Sequence, residues 1–87
     1  MAHAKMNHLY RLQFEKVQGC HVLLFPEGMI KLSETAAEIL LRVNGERSDD
    51  AIIADLKLKF PEAPDEMAQD VRDFLKHATD KHWIQYD

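Results

Sequence analysis

Residues 10–32 read Tyr10-Arg11-Leu12-Gln13-Phe14-Glu15-Lys16-Val17-Gln18-Gly19-Cys20-His21-Val22-Leu23-Leu24-Phe25-Pro26-Glu27-Gly28-Met29-Ile30-Lys31-Leu32, and their patterning decides the fold. Tyr10, Leu12 and Phe14 alternate with Arg11, Gln13 and Glu15, the period of two expected of a strand with one wet face. Gln18-Gly19 breaks that strand. Cys20 to Phe25 is a continuous β-rich apolar run, which predicts a strand covered on both faces in the middle of a sheet. Pro26-Glu27-Gly28 is a turn in which proline presets φ and glycine accepts positive φ. Met29 to Leu32 follows as a third strand, so the segment predicts a three-stranded antiparallel meander with that strand at its edge.

Downstream the period changes to that of helices. Ser33 is placed to cap a helix whose stripe is Ala36, Ile39, Leu40 and Val43, with Glu34 in its first turn and Asn44-Gly45 at its end. Ser48, followed by Asp49 and Asp50, repeats the device ahead of Ile52, Ile53, Leu56 and Phe60, and Pro61 stops that helix. Pro64-Asp65 opens a third, with Met67, Val71, Phe74, Leu75 and Ala78 on one face. Trp83, Ile84 and Tyr86 are expected to tuck back onto the core. Strands followed by helices predict an α+β domain, three helices packed on one face of the sheet. Met1 to His8 lacks a steady period and is expected to be a flexible tail, leaving residues 9–87 as one domain.

The chain has 87 residues, 46% of them hydrophobic, which fits one globular domain and not an enzyme with an interdomain cleft. The formal charge is −4. Residues 1–43 hold five basic and four acidic side chains, residues 44–87 six and eleven. A general polyanion binder would be basic. Cys20 is the sole cysteine, so no intrachain disulfide forms. No stretch approaches the roughly 18 apolar residues of a membrane span, and the first residues lack a signal peptide's apolar run. A cytoplasmic protein with no membrane association is expected.

The constellations that would carry chemistry are weak. His3, His8, His21, His77 and His82 are not joined at the spacing of two ligands on one helix face, so no metal site is assigned. Cys20 and His21 are strand neighbours pointing to opposite faces and cannot act as a nucleophile and base pair; Cys20 is read as a small core residue. The glycines sit at turns and build no phosphate cradle. Asp49-Asp50 and Asp65-Glu66 suit helix N-termini. No catalytic residue and no cofactor are assigned. A winged-helix DNA-binding regulator is the alternative for this element order, but the third helix would bring Asp65, Glu66, Asp70, Asp73 and Asp80 against phosphates with only Arg72 and Lys76 to neutralise them. The edge strand Met29-Ile30-Lys31-Leu32 carries no proline and one charge. It suits either an edge kept short and covered or one open to an added peptide strand. Lys31 either guards the edge or steers an acidic peptide.

These segments resemble the PqqD family of pyrroloquinoline quinone biosynthesis: Tyr10 to Glu15, Gln18 to Leu32, Ser33 to Leu40, Asn44-Gly45-Glu46-Arg47-Ser48 and Trp83-Ile84, in the family's order and spacing. The resemblance implies a winged-helix-like RiPP recognition element without DNA binding. Its implied partners are the precursor peptide PqqA and the radical SAM enzyme PqqE, to which it presents that peptide as a non-catalytic chaperone. It also implies a peptide held as an added strand along Met29, Ile30, Lys31 and Leu32, in a groove closed by Val71, Phe74, Leu75 and Ala78. Two positions depart from the family pattern: Asn44-Gly45 stands where Asp-Gly is common, and His82-Trp83 where Gly-Trp is common. The open edge is compatible with a monomer or a strand-exchanged homodimer.

Overall fold

The computed structural model describes residues 3–86; Met1, Ala2 and Asp87 lie outside the described residues. The meander forms as its patterning dictates. Strands β2 (Arg11–Glu15), β3 (Cys20–Phe25) and β4 (Gly28–Lys31) make an antiparallel sheet in the order β2-β3-β4. Pairs Leu12↔Leu23 and Leu23↔Ile30 fix the register and put these three side chains on one face. Leu23 is fully buried, and Leu12, Tyr10 and Ile30 pack against the same core. Tyr10 stacks on its cross-strand neighbour Phe25 with ring centroids 5.4 Å apart. Val22, on the opposite face, is also fully buried, so the centre of β3 is covered on both sides.

Helix α1 (Glu34–Leu41) is capped by the Ser33 hydroxyl, which accepts the Ala36 N–H, and α2 (Asp49–Lys59) by Ser48 accepting from Ala51. α1 ends at Leu41, three residues short of Asn44-Gly45, yet Val43 beyond it is buried. α3 (Met67–Asp80) buries Val71, Leu75 and Ala78. Glu38 on α1 joins the helices by accepting from Lys59 of α2 and from Arg42, whose guanidinium also meets Asp55.

Two expectations are corrected. Ala4–Met6 is not a flexible tail: it forms strand β1, paired antiparallel with β5 (Ile84–Tyr86) as Ala4↔Tyr86, Lys5↔Gln85 and Met6↔Ile84. Ala4 is fully buried, its carbonyl accepts the Gly45 N–H at 2.8 Å, and Gly45 takes φ +80, which a glycine adopts without strain. A three-residue strand whose partner lies some eighty positions away leaves no local period to read. The three helices share one core with the sheet: α1 packs on β3 and α3 on α2 and on the β1–β5 ribbon, and buried residues of all three join Leu23 in a single cluster. The extra ribbon supplies apolar surface, with Ile84 and Trp83 buried, that the sheet alone does not. Tyr86 is not tucked into the core; its hydroxyl reaches out to donate to Asp49 at 2.8 Å.

The departure at His82 has a structural reading. The His82 N–H donates to Thr79 O and the Trp83 N–H to Ala78 O, a paired closure of the α3 C-terminus. This closure puts His82 at φ +64, the left-handed conformation that a glycine reaches without strain. Trp83 then folds back, its ring 5.4 Å from His77 and 6.3 Å from Phe74.

Candidate functional site

Among the described residues, strand β4 has a neighbour on one side only. The direction of its backbone groups follows from one bond and one rule. The Leu32 N–H donates to His21 O at 3.0 Å, so the pair His21:Leu32 is a hydrogen-bonded one. Such pairs alternate along an antiparallel ladder. With the register Val22↔Lys31, Leu23↔Ile30, Leu24↔Met29 and Phe25↔Gly28, the groups of Gly28, Ile30 and Leu32 point into the sheet. Those of Met29 and Lys31 point outward. The edge therefore offers two N–H donors and two C=O acceptors, spaced as an incoming strand requires.

The side chains divide by the same alternation. Ile30 and Leu32 lie on the core face, Ile30 half-buried and Leu32 buried. Met29 and Lys31 lie on the other face and are exposed. On α3, Val71, Leu75 and Ala78 are at most 1% exposed and belong to the core, while Phe74 is half-buried and keeps accessible surface. Of the eight candidate contacts, then, Met29, Ile30, Lys31 and Phe74 keep accessible surface. Leu32, Val71, Leu75 and Ala78 hold the scaffold behind them. Residue periodicity cannot separate a groove wall from a core stripe, because both sit on the apolar face of the helix.

A cleft of about 610 Å³ lies elsewhere: between the start of α1, the end of α2 with the Pro61 to Pro64 turn, and the start of α3. Phe60 and Met67 line it, with Val71 at its floor and Glu34, Glu62 and Asp70 around it. No β4 residue contributes. The Glu38 carboxyl beside it is held below the ordinary carboxylate range by hydrogen bonds from Lys59, assisted by Arg42 and opposed by its own burial. Among the described residues, no group of three or more His, Cys, Asp or Glu side chains is placed to hold a metal ion. Among the same described residues, no helix is long and apolar enough to cross a membrane. Cys20 is half-buried at the start of β3.

A small α+β scaffold with a bare sheet edge among the described residues is a frame to which an added strand can pair. The chain belongs to the PqqD family: the profile described as Coenzyme PQQ synthesis protein D matches residues 20–84. It is 49% identical over 76 residues to the "PqqA binding protein" of Stutzerimonas stutzeri strain A1501, covering 87% of this chain and 82% of that one. It is 50% identical over 80 residues to the protein of the same name in Pseudomonas syringae pv. tomato, covering 92% and 81%. Among solved structures it resembles the NMR structure of the PqqD truncation of Methylobacterium extorquens PqqCD, described as a functional, stand-alone RiPP recognition element. That match has a TM-score of 0.77 and 26% identity, covering 94% of this chain and 87% of that one.

Proposed function

We propose that this chain is a non-catalytic chaperone that captures the precursor peptide PqqA as an added strand along β4 and presents it to the radical SAM enzyme PqqE. The observation that carries the reading is the outward direction of the Met29 and Lys31 backbone groups on an edge with no strand beyond it among the described residues. The peptide's main chain takes the place of a fourth strand, and its alternate side chains lie beside Ile30 on one face and Met29 and Lys31 on the other. The names of the relatives, which are binding proteins, support peptide capture; the acidic third helix weighs against a DNA regulator. No bond is broken in this step. The chain contributes order and position, and the chemistry belongs to the enzyme.

Isothermal titration with PqqA tests the reading, followed by co-elution with PqqE. Ordering a flexible peptide on an apolar edge predicts a negative heat-capacity change and an affinity modest for its buried area. A peptide that neither releases heat nor co-elutes with the folded chain contradicts it.

A further inference from the structure

Among the described residues the sheet has a second bare edge, on the side opposite β4. Because β3 directs His21, Leu23 and Phe25 toward β4, it directs Cys20, Val22 and Leu24 toward β2. Their partners Glu15, Gln13 and Arg11 are therefore bonded inward, and Leu12 and Phe14 turn their N–H and C=O groups outward. Of the devices that blunt natural edges, β2 carries no proline, no bulge and no charge on its core face; its two charges, Arg11 and Glu15, lie on the wet face, where Gln13 accepts from Arg11 and donates to Glu15. Three of the large apolar side chains left exposed in the molecule flank it: Leu9 at 53%, Phe14 at 51% and Val17 at 100%.

We propose that this edge is a self-association surface, which a second copy of the chain fits by antiparallel β2–β2 pairing about a two-fold axis at Gln13. Centring there pairs Leu12 with Phe14 of the other copy and Phe14 with its Leu12. Those are the residues with outward groups, so all four backbone bonds form. The same register sets Arg11 opposite Glu15 of the other copy, twice, on the wet face. It covers Phe14 with Leu12 on the core face and brings the Leu9 end of one copy beside the Val17 turn of the other. Shifting the pairing by one residue would put inward-bonded groups at the contact, and shifting it by two would unmatch the charges. The product is a continuous six-stranded sheet with a β4 edge at each end. Strand exchange is not needed, and the β4 edges stay free.

Sedimentation of the full chain over a concentration series tests this. Wild type is expected to form a dimer. Arg11→Glu and Glu15→Arg each set like charges opposite one another twice and should weaken the dimer about tenfold. Mixing the two variants restores both attractive pairs, so a heterodimer should form. In a Cys20→Ser background, Gln13→Cys should oxidise to a disulfide-linked dimer, because a non-hydrogen-bonded pair on the axis has Cα atoms roughly 4.5 Å apart, within disulfide reach. Arg11→Cys in the same background faces Glu15 and should stay unlinked. A wild type that remains monomeric throughout, or folded single variants that associate unchanged and a Gln13→Cys variant that does not link, would overturn the proposal. Failure of PqqA to bind would leave it standing.

Discussion

Replacing Lys31 by proline separates the outward from the inward positions of β4. The Lys31 N–H points away from the sheet, so a proline there removes no internal ladder bond. The free protein loses little beyond the adjustment of φ, on the order of 1 kcal/mol. The complex loses more. The Lys31 donor disappears, and the ring's Cδ occupies the line along which the peptide carbonyl approaches, so the adjoining acceptor bond lengthens as well. Two of the four edge bonds at about 1 kcal/mol each give ~2 kcal/mol, roughly a thirtyfold loss of PqqA affinity by isothermal titration. Ile30→Pro is the contrast. It deletes a bond to Leu23 and disturbs a side chain packed on the core, so it should lower stability by about 3 kcal/mol or more in chemical denaturation. If Lys31→Pro is folded and binds PqqA as tightly as wild type, the peptide does not use this edge.

His82→Gly removes a left-handed histidine at the α3 terminus. A relief of about 1–2 kcal/mol, less the added freedom of the unfolded glycine, should raise stability by ~1 kcal/mol and the melting temperature by several degrees, with PqqA binding unchanged. Glu38 has a carboxyl depressed below its ordinary value of 4.5 by Lys59 and Arg42. Its contribution to stability is thus complete above that value and is lost as the pH falls through the lower folded value. Glu38→Gln should melt lower at neutral pH and show a flatter decline into acid in thermal melts across pH. Lys31→Ala keeps the backbone edge while removing the charge. If Lys31 steers an acidic peptide, the association rate should fall and lose its salt dependence, with dissociation nearly unchanged.

The meander and the helix starts were legible because their signals are local. Alternation over Tyr10 to Glu15, the apolar run Cys20 to Phe25, and Ser33 and Ser48 followed by acids each depend on a few adjacent residues. Strand β1 was not legible: Ala4-Lys5-Met6 is a strand only because Ile84, Gln85 and Tyr86 lie beside it. At the candidate site the edge itself was readable, since three strands in a row leave the last one bare. Which of its amides face outward was not readable, because that rests on the hydrogen-bonding phase fixed by Leu32 and His21. The candidate α3 residues shared an apolar stripe, and only packing distinguishes buried Val71, Leu75 and Ala78 from accessible Phe74. The second edge at β2 gave a visible signal in the alternating Arg11, Gln13 and Glu15, whose charge symmetry about Gln13 acquires meaning once the register is known.

Amide hydrogen exchange by NMR, with and without PqqA, tests the central claim most directly. In the free protein Ile30 should be protected by its bond to β3, while Met29 and Lys31 exchange quickly. Saturation with PqqA should slow exchange at Met29 and Lys31 and leave Ile30 near its starting value. Bound peptide with Met29 and Lys31 still exchanging as in the free chain would contradict strand addition at β4.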